Sequence, residues 1–337
     1  MAPSTFTAAL LRLWIVARAV RPGREDIQQL LETEVAPADV LSTGEASTWL
    51  FDPEPGLREM APPEAGAVLL EGESANYPHC EGLPRNGSHV IDVALILSSS
   101  CTWHAHPGLQ VTLKEPLTFQ GNLVLMGEIQ IIGEQERDGP CINVRGRMTV
   151  TAARASFVGC RNRLKEGKGG ALFIEHDIIT DNSDVKFESC AAKQGGGLYA
   201  KGGYHQDAGS SVLFQNCSAD RDGGGAHLGQ NFTPGPNTSA IFRSCWAGEY
   251  GGGLHAKGGY QQEAGSSVLF EHCSAMLDGG GAHVKNDFTQ GPKSSAIFRG
   301  GLFADGGYQQ EAGSSVMFEH CSADRGALDG RGSRGCA

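Results

Sequence analysis

Nowhere does the sequence hold the roughly 18 consecutive apolar residues that a membrane-crossing helix needs. Positive charge is also scarce: 27 Lys and Arg stand against 38 Asp and Glu, a formal charge of −11. No basic stripe tracks a nucleic-acid backbone, and nothing favours an anionic membrane surface. The close C-x2-C pair of a zinc knuckle is missing, and so is the calcium nonapeptide G-G-x-G-x-D. Beyond His89 there is no convincing helical periodicity either. These absences exclude a nucleic-acid binder, a helical membrane protein and the simplest metal modules.

Glycine, by contrast, is plentiful. The 48 glycines of the 337 residues fall in GG and GGG clusters, which excludes a collagen period and marks sharp turns. Hydrophobic residues, at 40%, suffice for a core.

Residues 1–85 form a region of separate character. Ala8 to Val20, AALLRLWIVARAV, is apolar but broken by Arg12 and Arg18. It reads first as an ordinary helix, then as a poor signal peptide, then as an Arg-bearing targeting segment. Arg24 to Val35 has helical spacing at Ile27, Leu30, Leu31 and Val35, and Pro37 to Pro63 then reads as linker.

From residue 86 to 325 the pattern is short β-rich runs with a repeat. Phe157, Phe187, Phe214, Phe242, Phe270, Phe298 and Phe318 are spaced 30, 27, 28, 28, 28 and 20 residues apart. All but Phe298 begin F-x-x-C, and each of the first five is followed by a glycine cluster. Near-identity is strongest at 56 residues: Gly251 to Ala275 matches Gly195 to Ala219 at 20 of 25 positions. A fixed period means stacked units, none able to bury its own apolar face. Units of about 28 residues with several short strands fit a coil of a β-helix better than a four-stranded propeller blade. The expected fold is all-β: a right-handed, single-stranded parallel β-helix of about eight coils, followed by an irregular tail at 326–337.

GGALF at Gly169, GGGLY at Gly195 and FQNCSA at Phe214 resemble the GGA[ILV] and FxxN repeats of polymorphic outer membrane proteins. Here cysteine replaces the asparagine. The resemblance implies a β-helical domain of the pectin-lyase-like superfold, with an adhesive role at a cell surface.

Stacking turns repeats into columns one strand spacing apart. The phenylalanines named above should fill the core. Cys160, Cys190, Cys217, Cys245, Cys273 and Cys321 form a second column. It reads as buried free thiols, with one or more inter-coil disulfides as the alternative. Cys80, Cys101, Cys141 and Cys336 show no pattern.

In a third column stand Tyr199, His227, His255, His283 and Phe303. Flanking apolar residues place the histidines on the opposite face of their strands, which is expected to meet solvent. Three such imidazoles can share a Zn²⁺ or Cu²⁺ ion. Tyrosine and phenylalanine at the ends favour a tolerant exposed column instead, so no metal or cofactor is expected. Tyr204, Tyr260 and Tyr308 follow GG in matching loops and are read as exposed rings able to stack on a polysaccharide or a protein.

Catalytic signals are thin. β-Helix pectinases combine paired aspartates, a Gly-His-Gly turn and an Arg-x-Lys element; here Arg163-Leu164-Lys165 stands alone, with neither the aspartate pair nor the Gly-His-Gly turn. Asp222 and Asp278, before the two GGGAH copies, read as exposed turn residues. Sequons at Asn231 and Asn237 are usable if the chain is secreted, whereas Asn216 looks too buried. The expected function is therefore a non-enzymatic interaction or adhesion module, extracellular or at the cell surface, with a protein or carbohydrate ligand. A carbohydrate-active β-helix enzyme is the alternative.

Overall fold

The computed structural model describes residues 77–134 and 138–319, together with the backbone of a strand at Ser333–Gly335. The targeting segment, helix and linker expected before residue 77, and Cys321 and Cys336, lie outside the described residues. The described chain is a parallel β-solenoid of about seven turns, with no helix.

One coil shows how the sequence makes the turn. It runs through Leu198–Ala200, Tyr204–Gln206, Ser211–Gln215 and Ser218–Ala219. Each strand pairs in parallel with its counterpart in the next coil: Leu198 with Ala226, Tyr204 with Phe232, Phe214 with Phe242, Ala219 with Ala247. Period-two alternation in Ser-Val-Leu-Phe-Gln sends Val212 and Phe214 inward, leaving Ser211, Leu213 and Gln215 outside.

The first coils are built differently. Cys101–Leu113, Leu123–Gly133 and Met148–Val158 are long strands that run round a corner, with register shifts at Ala105/Leu109 and Leu125/Gly127. The end of Met148–Val158 pairs with Asp184–Glu188 and its beginning with Ile178–Asp181. Later coils break that corner into two strands. At the other end, Ser333–Gly335 pairs antiparallel with Leu302–Ala304, the single antiparallel pairing among the described strands.

The phenylalanines stack as a continuous ladder from Phe157 to Phe318, with ring centroids 4.6–5.4 Å apart. All are buried except Phe318, which is half-buried in the last described coil. The corner of F-x-x-C is turned one residue before the cysteine. Ser189, Asn216, Ser244 and His272 take φ of 52° to 55°, and Gly159 takes 66° at the same place. That turn lifts Asn216 out of the wall, so its side chain is exposed rather than buried.

Cys190, Cys217, Cys245 and Cys273 are buried free thiols. Each donates to a carbonyl one coil earlier, as Cys245 Sγ does to Phe214 O at 3.6 Å. Burial pushes the thiols of Cys190, Cys217 and Cys245 up, away from the reactive thiolate. Cys160 breaks from the column to form a disulfide with Cys141, and Cys80 pairs with Cys101. Of the cysteines that showed no pattern, Cys80 and Cys101 thus pair with each other and Cys141 with Cys160, at 4.9 and 5.8 Å, Cα to Cα, in the irregular early coils. The bridges span 21 and 19 residues, so each is expected to stabilise by about 3 kcal/mol on loop entropy. Chemical denaturation with and without a reductant checks this; an unchanged midpoint would show that neither bridge constrains the unfolded chain.

Candidate functional site

Strands Ala226–Leu228, Leu254–Ala256 and Ala282–Val284 do place their histidines opposite the flanking inward residues. That opposite face is not solvent. His227, His255 and His283 are 0, 2 and 5% exposed, against the outward, solvated placement expected from the sequence. The cause is the glycine turn before each strand. Gly223 and Gly251, with φ of +68° and +64°, fold the chain back so closely that an added Cβ would lie 2.2 Å from a carbonyl of the following strand. The residues before the turns, Gln194, Asp222, Tyr250 and Asp278, follow one another through backbone hydrogen bonds from coil to coil, and Asp222 and Tyr250 lie against the histidines.

Beneath this cover the rings form one stack. Tyr199 lies on His227 at 4.7 Å, His255 meets His227 edge-on at 4.7 Å, and His283 stacks on His255 at 5.0 Å. Phe303 closes the lower end and Tyr250 packs edge-on to His283 at 4.8 Å. Asp222, expected in an exposed turn, is 4% exposed. Its Oδ2 stands 3.9 Å from His227 Nδ1 and 3.8 Å from His255 Nδ1. Gln194 Nε2 donates to the same oxygen at 2.7 Å.

The cluster is buried and short of partners. Both ring nitrogens of all three histidines, and Asp222 Oδ1, make no hydrogen bond. Burial pulls His227 down to about 3, His255 to about 2 and His283 to about 4. Lys257 adds to this at His227, the two neighbouring imidazoles add to it at His255, and Asp278 opposes it at His283. Burial likewise raises the Asp222 carboxyl, against the Gln194 hydrogen bond. Asp222, His227 and His255 bring one donor atom each within 4.8 Å of the others, the spacing of a candidate metal site.

The tyrosines also turn inward. Tyr204 and Tyr260 are fully buried, while Tyr308 is half-exposed in the last described coil. They are strand residues, in register with Phe232 and Phe288 of the coils between. The five rings form a second core ladder, with successive centroids 4.4–5.6 Å apart. Tyr260 Oη donates to Gln262 inside the core, and burial raises its phenol. No ligand can stack on these two buried rings without unfolding the wall.

The columns that do face outward lie on the back of the phenylalanine wall. Register places Leu213, Ile241, Leu269, Ile297 and Met317 in one line. The first four are half-buried and Met317 is exposed. A serine line, Ser211, Ser239, Ser267, Ser295 and Ser315, flanks it on one side. On the other, Arg243, Glu271, Arg299 and Glu319 form an ion-pair ladder; Arg243 Nε meets Glu271 at 2.6 Å and Arg299 Nη1 meets it at 3.0 Å. These pairs hold the Glu271 carboxyl below the usual carboxylate range. The outward Leu was legible in Ser-Ser-Val-Leu-Phe, since Val and Phe on one face leave Leu on the other.

In the earlier coils the same line is polar. Gln110, Gln130, Ser156 and Lys186 there border a shallow groove of about 550 Å³, with Glu128, Arg154 and Asp184 alongside. Arg154 pairs with Asp184 at 3.8 Å, and Lys186 with Glu188 at 2.7 Å. Of the sequon residues, Asn237 is exposed, whereas Asn231 is half-buried and accepts the Gly259 N–H at 2.8 Å. Comparison with protein-family models, with curated proteins and with solved structures finds no match for the chain.

Proposed function

We propose that the solenoid is a non-enzymatic interaction scaffold that presents the back of the phenylalanine wall to a protein ligand. The carrying observation is the outward aliphatic line Leu213, Ile241, Leu269, Ile297 and Met317, repeated at strand spacing along one parallel sheet. A row of outward, half-buried aliphatics ending in exposed Met317, between a serine line and a self-neutralised charge ladder, suits the apolar centre and polar rim of a protein interface. Sugar recognition calls for exposed rings, and these columns hold none. Two disulfides favour an oxidising, extracellular setting, in keeping with the adhesive role implied by the likeness to polymorphic outer membrane protein repeats.

A carbohydrate-active enzyme remains the second reading because the polar groove brings Glu128 and Asp184 onto one face. One experiment separates the two. The protein and its Ile241→Glu/Leu269→Glu variant are applied to an extracellular-protein array and a glycan array, and incubated with acidic polysaccharides. A protein ligand is expected whose affinity falls at least about tenfold in the variant, with the thermal midpoint unchanged. Release of oligosaccharides, or binding indifferent to the variant, overturns the scaffold.

A further inference from the structure

We infer that Asp222, His227 and His255 form a buried site for a divalent transition-metal ion of the Zn²⁺ class, clipping one solenoid coil to the next. The inference is independent of the interaction face, which lies on another wall. Asp222 and His227 belong to one coil and His255 to the next, so a single ion would cross-link the stack.

Three observations carry it. The donor set is chemically right: two imidazoles and a carboxylate are Zn²⁺ ligands, and softer or harder cations prefer other sets. The geometry is close. Tetrahedral Zn²⁺ with ligand bonds of about 2.0–2.2 Å places its donors about 3.4 Å apart. The carboxylate oxygen stands 3.9 and 3.8 Å from the two Nδ1 atoms, and all three donors lie within 4.8 Å of one another, so the cluster must contract to close on the ion. Finally, the imidazole donors have no hydrogen-bond partner, and Asp222 Oδ2 has only Gln194. Unpaired buried polar atoms are costly, yet both nitrogens of His227, His255 and the adjacent His283 lack any partner, as does Asp222 Oδ1.

The surroundings fit a structural rather than a catalytic ion. Gln194 Nε2 donates to the same Asp222 Oδ2 at 2.7 Å, an orienting contact of the kind that metal ligands commonly receive. Tyr199 and Tyr250 pack on the histidine stack and exclude substrate. His283, stacked on His255 at 5.0 Å, is the remaining imidazole of the cluster.

The repeat itself marks the site. The near-identical copies GGGLY and GGGLH differ at Tyr199 and His255, so Asp222 and His227 acquire a second imidazole only in the later coil. The later DGGGAH, with Asp278 and His283, is followed by Phe303 at the register position, leaving a half-site.

The test uses the untagged full chain, stripped with a chelator and loaded with Zn²⁺ alone. Loading is done both by long exchange on the folded protein and by refolding with disulfides intact, so slow entry is not mistaken for lack of affinity. One equivalent of zinc is expected to survive desalting, with micromolar or tighter affinity. Co²⁺ is expected to give the intense visible bands of a four-coordinate site. His255→Tyr, which installs the residue that the fold already accepts at Tyr199, and Asp222→Asn should each reduce retained zinc at least tenfold. Failure of the wild type to retain zinc after both routes overturns the inference. So does retention by both variants equal to wild type, which would place the ion on other histidines.

Discussion

Lowering the pH from about 7.5 to about 5 is expected to cost the metal-free solenoid about 6 kcal/mol, about 2 kcal/mol for each of His227, His255 and His283. All three are buried as neutral rings, with folded values of about 3, 2 and 4. In the unfolded chain each titrates near 6.5. Below 6.5 the unfolded state therefore binds protons that the folded state refuses, and stability falls as pH falls. At pH 5 the unfolded ring is about 1.5 units below its own value, worth about 2 kcal/mol per ring at 1.36 kcal/mol per unit. The loss continues until the pH passes the folded values, beneath pH 4. Against a typical domain stability of 5–15 kcal/mol this is enough to bring the protein close to unfolding.

The groups facing these rings decide how clean the effect is. Asp222, Asp278 and Tyr250 cover them, with Lys168, Lys257, Lys285 and Arg221 further out. Asp222 works in the opposite sense: its folded value is raised by burial, so its contribution improves as the pH falls and offsets part of the histidine loss. Glu271 is depressed by its arginines, and its stabilisation is lost only below its unfolded value near 4.3, beneath the window. Urea midpoints of chelator-treated protein at the two pH values give the total. His255→Tyr should shrink the loss by about a third, to about 4 kcal/mol. A wild-type midpoint equal at both pH values would mean that the imidazoles are solvated and the covered column is wrong.

What the sequence could show depended on whether a property was local. Phe214, Phe242 and Phe270 repeat at the coil period, so the ladder needed only counting. The histidine strands were read correctly as far as local alternation reaches: Leu254 and Ala256 do face the core and His255 the other side. What covers that other side is set by the αL turn at Gly223 and Gly251, whose tertiary placement no alternation rule contains. Tyr204 and Tyr260 were legible and were missed. Comparing each tyrosine with its copy two coils away concealed Phe232 and Phe288, which occupy the same register in between and mark a core column. Cys160 sat in the periodic column, but its partner Cys141 had no periodic signal, because the bridge forms where the coil departs from its period.

Gly223→Ala should lower stability by at least about 3 kcal/mol, or about 6–12 °C in Tm for a chain of this size, and abolish zinc retention. An alanine at φ +68° carries about 1–2 kcal/mol of left-handed strain. The remainder comes from a close approach: the new Cβ would lie 2.2 Å from Ala226 O and 2.9 Å from His227 N, both backbone atoms of a paired strand. Neither can swing aside as a side chain would, so the turn must lift, carrying Asp222 off His227 and His255. Gly209→Ala separates strain from cover. Gly209 has φ +77°, but its nearest neighbour is the side-chain Oδ1 of exposed Asn182 at 3.2 Å. Asn237 and Lys293 already hold φ of 54° and 56° at the equivalent corner. That variant is expected to cost about 1 kcal/mol and to keep its zinc. Equal losses in the two variants would reduce Gly223 to a conformational requirement alone. A larger loss at Gly223, accompanied by exposure of the histidines to hydrogen exchange, identifies the tight turn as what converts an outward column into a buried site.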